Sequence, residues 1–411
     1  IFQGGRLAAE RNAAPFAFDP GAIDVVLLSH AHVDHCGRLP MLLARGYDKA
    51  IYATPATCDL AELLLKDSAQ IQQRDAEWAS RHRVHAAPPL YTIGEVEATA
   101  AKMTGVPYDE VYHPHPKLRF RLRDAGHILG AAIVELWIDD GGRERKIVFS
   151  GDLGQPARPL VRDPTPIDEA DILLIESTYG DRLHKDIDAT RDELVRTIDA
   201  TIGKRRGNVI VPAFAVGRTQ ELLTILIEET RRGRLQHLNV FVDSPLATAA
   251  TRITERHKAL LDAEARHALF DASTTRLPIR IKFIEDVDES KALDRWDAGA
   301  LIIASSGMCE GGRIQHHLRH QLPHQGTAIL ITGFQAAGTV GRRLVDGAGS
   351  VRLFGEDVPV RASIHTLGGL SAHADQRALR EWAAHFRSAP QKTFVVHGEP
   401  DAATSLASAL A

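Results

Sequence analysis

Short apolar runs alternate with longer amphipathic stretches along the chain, and their order divides it into three parts. Residues 25–28 read as a buried strand, 39–45 as a helix and 49–52 as a second short strand ahead of Thr54-Pro55. Residues 56–84 carry helical periodicity through Leu60, Leu63, Leu64, Ile71 and Trp78. Residues 86–106 are ambiguous, because Pro88-Pro89 breaks the pattern while Val96 to Lys102 suits a helix. Strands return at 118–123, 131–137 and 146–149, the last two joined through a Gly141-Gly142 turn. Residues 171–175 form one more apolar strand, ending at Glu176.

After Asp181 the pattern changes. Four units repeat the order strand, Gly or Ser/Pro turn, helix: Val209–Pro212 with Gly217-Arg218, 240–242 with Ser244-Pro245, 301–304 with Ser305-Ser306-Gly307 and Gly311-Gly312-Arg313, and Ala328–Ile331 with Gly333, Gly338, Gly341 and Arg342. Such alternation predicts a mainly parallel sheet with helices on its faces. The earlier style then resumes. Residues 361–366 read as a strand, 368–375 as a turn opening a helix, and Lys392–Val396 as a strand ending at His397. The expected organisation is a first domain over 1–181, an inserted α/β domain over 182–360, and completion of the first domain by 361–411.

Composition narrows the function classes. Hydrophobic residues are 44% and charged residues 25% of 411, as in an ordinary two-domain globular protein. No apolar run approaches the ~20 residues that span a bilayer, so no membrane partner is expected. Cys36, Cys58 and Cys309 are too few and scattered for a disulfide framework and fit a reducing cytoplasm. The net charge of −4 provides no global basic field, so any attraction to nucleic acid is local. Histidine stands out, with 20 copies.

Those histidines concentrate chemistry. Ser29-His30-Ala31-His32-Val33-Asp34-His35-Cys36-Gly37 places three histidines and an aspartate directly after an apolar strand. In extended backbone His30 and His32 share a side, and a turn after His32 aims Asp34 and His35 elsewhere. Further metal-capable residues recur at strand ends and turns: His127 in Ala125-Gly126-His127-Ile128-Leu129-Gly130, Asp152 after Ser150-Gly151, Glu176, and His397. Two zinc ions need three or four protein ligands each. His30, His32, His127 and Asp152 serve the first; Asp34, His35, His397 and a shared Asp152 serve the second. Manganese also accepts this donor set. A pair of ions roughly 3.5–4 Å apart lowers the pKa of a shared water to about 7, and Asp34 is placed to orient that water. A leaving alkoxide needs a proton. His373, in Ser371-Ala372-His373-Ala374-Asp375, is the expected donor, with Glu176 as its carboxylate partner.

The series His30-x-His32-x-Asp34-His35, His127 and Asp152 resembles the metallo-β-lactamase superfamily. Glu176 in Glu-Ser-Thr-Tyr-Gly-Asp, His373 in Ser-Ala-His-Ala-Asp and His397 in Val-Val-His-Gly-Glu resemble the further motifs of its nucleic-acid-processing branch, the β-CASP family. The stretches 306–313 and 367–373 are similar to the prokaryotic group that resembles the nuclease subunit of the cleavage and polyadenylation specificity factor. The resemblance implies a four-layer αββα sandwich with an inserted β-CASP domain, and RNA phosphodiester hydrolysis in the cleft between them. It also implies a strand ending in Asp upstream of Phe2-Gln3-Gly4, so N-terminal strands and a C-terminal tail are expected beyond the chain as it stands.

For a phosphate polymer, glycine turns and helix N-termini along one rim supply anion contacts. Arg218, Arg313 and Arg342 stand at such turns, and Ser306 is counted among the same substrate contacts. Backbone gripping predicts weak sequence specificity. The expected activity is therefore a two-zinc ribonuclease on single-stranded RNA, endonucleolytic with 5′-to-3′ exonucleolysis as a further capacity; a homodimer is compatible with it. The alternatives are a DNA nuclease of the same branch, disfavoured by His397, a small-molecule thioesterase or lactonase, disfavoured by the large insertion, and an inactive binding subunit, disfavoured by the full ligand set. His113, His115, His316, His317, His324 and His365 are expected to be surface or packed histidines.

Overall fold

The computed structural model describes residues 10–82, 88–271, 276–296 and 298–411; the segment Phe2-Gln3-Gly4 lies outside them. Two compact units emerge: residues up to 156 with 162–183 and 373–411, and residues 157–161 with 184–372. No helix among the described residues is long and apolar enough to cross a membrane.

The first unit holds two sheets. Strands β1 (Val26–Leu27), β2 (Ile51–Ala53) and β3 (Met103–Gly105) are short and parallel. Strands β4 (Val111–His115), β5 (Leu118–Asp124), β6 (Ala132–Asp139), β7 (Glu144–Phe149) and β8 (Ile172–Glu176) follow in a mixed sheet. Alternate residues of β5 and β6, among them Phe120, Leu122 and Val134, point inward and meet Leu27 and Tyr52 from the first sheet. The rings of Tyr52 and Phe120 lie 5.5 Å apart. Helices form the outer layers. The longest, Pro55–Arg81, starts where Thr54 caps Thr57 N and Pro55 occupies the first turn.

The second unit is built on a six-stranded, all-parallel sheet. Its strands are β9 (Val209–Pro212), β10 (Leu238–Asp243), β11 (Ile279–Phe283), β12 (Ala300–Ala304) and β13 (Ala328–Ile331), then, after the hairpin β14 (Ser350–Leu353)/β15 (Glu356–Pro359), β16 (Ser363–Thr366). The order is β11-β10-β12-β9-β13-β16. Val209 and Val211 face one core while Ile210 faces another, and β12 does the same with Leu301 and Ile303 against Ile302. A sheet covered on both faces needs apolar residues at every position, which is why these strands read as unbroken apolar runs.

The unit boundaries differ from the expected 182–360 insertion. Residues 361–366 read as the start of the returning domain, yet β16 pairs in parallel with β13, Ser363 opposite Ala328, and extends the second unit's sheet. The chain returns to the first unit at His373. There β17 (Lys392–Val396) joins β8 in parallel, giving the order β17-β8-β7-β6-β5-β4.

Candidate metal centre

Three adjacent parallel strands of the first unit end at one edge. Val396 pairs with Glu176, and Phe149 with Leu174, so the residues beyond β7, β8 and β17 reach the same rim. β6 runs antiparallel to β7, which places the β5–β6 turn and His127 at that rim too. Ala132 N donates to Ser29 O at 2.8 Å and brings the segment after β1 alongside. The turns are shaped by glycine. Gly126 has φ +65° and Gly151 φ +57°, and a Cβ at either would lie 2.6 Å from Arg162 O or 2.7 Å from Ala132 O. The backbone turns at His32, and the short helix Val33–Cys36 presents Asp34 and His35 from its one turn.

Seven side chains converge there. His32 Nδ1 lies 3.1 Å from both His30 Nε2 and His127 Nε2, and Asp152 Oδ2 lies 3.3 Å and 3.7 Å from those two nitrogens. On the other side, His397 Nε2 is 3.1 Å from His35 Nε2 and 3.4 Å from Asp34 Oδ2. His35 Nε2 is also 3.3 Å from the same Asp152 Oδ2. One carboxylate oxygen is therefore common to two clusters. Tetrahedral ligands at zinc bond lengths of 2.0–2.1 Å sit about 3.3 Å apart, close to these spacings. Asp152 is 1% exposed, and neither of its oxygens receives a hydrogen bond of ordinary geometry. A buried carboxylate left in that state is strongly disfavoured unless a cation meets it. The donor set thus fits divalent metal ions.

Charge distribution agrees. Burial holds His30 well below the usual imidazole range and brings His32 down to about 4, so both present lone pairs at neutral pH. Burial alone would raise Asp152, but His30, His35, His373 and His127 outweigh it and hold the carboxyl well below its usual range. His397 runs the other way, raised to about 9 first by its hydrogen bond to Asp34, so an ion bound there would have to displace its proton. Two hydroxyls orient the ligands from behind. Ser29 Oγ lies 3.2 Å from His30 Nδ1. Thr178 Oγ1 donates to His397 O at 3.2 Å and accepts from His397 Nδ1 at 3.1 Å. Neither hydroxyl carries a role in the sequence pattern alone, although Ser29 adjoins His30 and Thr178 follows Glu176 by two residues.

His373 is bound differently. Its Nδ1 lies 3.2 Å from Glu176 Oε1. Glu176 is fully buried and also accepts from Leu153 N at 2.8 Å and Thr178 N at 3.1 Å. Such a carboxylate is an acceptor only, so Nδ1 keeps its proton. Burial works against the charged imidazole, but Glu176 and Asp152 outweigh it and the His373 pKa is raised. The His127 and His373 rings lie 4.4 Å apart.

The four residues expected to touch substrate lie in the second unit, outside this cluster. Arg218 is buried and paired with Glu221. Arg313 bonds Asp243 at 2.7 Å and the carbonyls of Ile284 and Glu285 at 3.1 and 2.6 Å. Arg342 Nε contacts both oxygens of Asp346 at 2.9 Å. Ser306 Oγ accepts from Glu310 N at 3.2 Å. Arg218 and Arg313 are largely buried against carboxylates and carbonyls, whereas Arg342, in a surface ion pair, keeps about half of its side chain exposed. His317, expected to be a surface or packed histidine, is buried with its Nε2 2.6 Å from Asp243 Oδ2.

Three family models match the chain in order. A beta-lactamase superfamily domain matches residues 4–206, a Beta-Casp domain 219–344, and a Zn-dependent metallo-hydrolase RNA specificity domain 357–411. Ribonuclease TTHA0252 of Thermus thermophilus is 35% identical over 411 residues, covering all of this chain and 89% of the relative. Transcription termination factor FttA is 34% identical over 404 residues in Pyrococcus horikoshii and 32% over 409 in Thermococcus kodakarensis. The chain spans only 59% and 60% of those two proteins, while they cover 95% and 96% of it. With a continuous relative along its whole length and the three domain matches in order, the chain belongs to the β-CASP family of the metallo-β-lactamase superfamily.

Proposed function

We propose that this chain is a metal-dependent ribonuclease that hydrolyses phosphodiester bonds of single-stranded RNA, as an endonuclease with 5′-to-3′ exonuclease capacity, in cytoplasmic RNA processing or decay. The observation that carries the reading is Asp152 Oδ2, shared by two ligand clusters at the rim of a chain whose C-terminal part matches an RNA specificity domain. Two zinc ions would be held by His30, His32, His127 and Asp152, and by Asp34, His35, His397 and Asp152, with manganese as the alternative. Such a pair of ions, when bound, lowers the pKa of attacking water and offsets the charge that develops on the phosphoryl oxygens. Asp34, on the exposed side of the second cluster, would orient that water. Glu176 fixes the His373 proton at Nδ1, which leaves the proton at Nε2 as the one to transfer. His373 gives it to the departing ribose oxygen as general acid. Glu176 acts through His373 and is a positioning residue. The three free cysteines suit the cytoplasmic setting.

Metal analysis of purified protein coupled to cleavage of end-labelled RNA, with matched DNA alongside, tests the whole reading. About two zinc or manganese ions per chain are expected, with RNA cut in preference to DNA and activity abolished by a chelator. DNA cut as readily as RNA would favour a DNA nuclease. Thioester turnover without RNA cleavage would favour a small-molecule hydrolase.

A further inference from the structure

Three neighbouring strands of the second unit end at one edge, and the chain leaves that edge towards opposite faces. β9 lies between β12 and β13. The helix after β9, Arg218–Arg231, sends Leu222 and Leu226 into one core. The helices after β12 and β13, Ile314–Gln321 and Val340–Val345, send Ile314, Leu318 and Leu344 into the other. Diverging connections of this kind open a crevice at the carboxyl ends of the strands, where open α/β sheets bind ligands.

Two aromatic rings stand uncovered at that edge. Phe214, just beyond β9, is 40% exposed, and Phe334, just beyond β13, is 56% exposed. Their backbone is not loose. Phe214 O accepts from Thr219 N at 3.2 Å and from Thr219 Oγ1 at 2.8 Å. Gln335 Nε2 donates to Gly307 O at 2.9 Å and Gly333 O at 3.2 Å, tying the turn after β12 to the turn after β13. A Cβ at Gly307 would come within 2.9 Å of the Phe214 ring, and one at Gly333 within 3.9 Å. Glycine at 307 therefore lets the turn close onto the edge of the ring. The same rim does not act as a charge clamp, since Arg218 and Arg313 are held by Glu221 and by Asp243 with two carbonyls.

We propose that Phe214 and Phe334 form a base-stacking platform for single-stranded RNA at this switch point of the sheet. The inference rests on the ribonuclease reading and adds to it the part of the nucleotide that the second unit recognises. Every base has a π-face, so stacking holds a strand without reading its sequence. RNA is the occupant the ribonuclease reading supplies, and two uncovered rings beside the Gly307 and Gly333 turns offer flat apolar faces on which its bases can stack.

Phe214→Ala, Phe334→Ala and the two tyrosine variants, assayed on single-stranded RNA and on the same RNA with abasic positions, decide the matter. Each alanine variant is expected to raise KM about tenfold, equivalent to about 1.4 kcal/mol, with kcat and metal content unchanged. Tyrosine should restore KM, and abasic RNA should remove the difference between wild type and alanine variants. Wild type that cleaves RNA alongside alanine variants of unchanged KM overturns the platform and leaves the ribonuclease reading intact. Equal alanine effects on intact and abasic RNA also overturn it, by showing that the rings serve the fold. Wild type that cleaves no RNA removes the ribonuclease reading itself.

Discussion

A histidine can hold an ion or carry a proton, and its partners decide which. Nitrogens of His30, His32 and His127 turn towards one another around Asp152 at spacings of 3.1–3.7 Å. His373 instead places Nδ1 on Glu176, which backbone amides hold from behind. His373→Ala should therefore keep both metals and lose ~10²–10⁴ in kcat, the usual worth of a general acid. Metal analysis beside steady-state kinetics checks this, and loss of metal would make His373 a ligand. Glu176→Gln gives a complementary outcome. A general acid works only while protonated, so activity falls as pH rises through its pKa. Glu176 raises that pKa, and removing its charge should move the alkaline limb of the pH–rate profile to lower pH. An unmoved limb would mean that a group other than His373 supplies the proton.

At the scale of elements, the same rim logic had a visible and a hidden part. The strands that carry the centre were legible because each ends an apolar run in a metal-capable residue, as Ile172–Glu176 does in Glu176. Two edge strands, β4 and β11, were not, although β16 and β17, also at sheet edges, were. β4 contains Pro114 and two histidines and is mostly exposed. β11 alternates Ile279, Ile281 and Phe283 with Arg280 and Lys282, so only one side of it reads as apolar. The glycine turns were legible as turns, but which charges they neutralise depends on contacts across the sheet. Arg313 is the clearest case, because Asp243 lies 70 residues away in sequence. Arg313→Ala should cost about 2–4 kcal/mol in denaturant unfolding, as for a largely buried ion pair losing one partner. It should leave the dependence of KM on salt unchanged. A phosphate contact would behave oppositely, reducing the salt slope by about one with little effect on stability.

Across the whole chain, the centre could be assigned in advance as a list of residues but not as a geometry. Its candidate ligands run from His30 to His397, and the intervening β9–β16 sheet belongs to the other unit. Sequence showed where each donor leaves its strand. It showed Asp152 as shared but not that a single oxygen faces both clusters, nor that β16 extends the second sheet, because both details follow from contacts between distant segments. That same long reach couples metal to folding. The unfolded chain cannot gather seven donors so far apart, so each bound ion favours the folded state by about RT ln(1 + [metal]/Kd), or ~2.7 kcal/mol at a hundredfold excess over Kd. Urea titrations of metal-loaded and chelator-treated protein should differ by at least this amount for each site filled. His397→Ala removes a donor from the second cluster alone, so it should retain the gain of the first ion and lose most of the second. Equal midpoints with and without metal would mean that the cluster is held by imidazole–carboxylate contacts and not by ions.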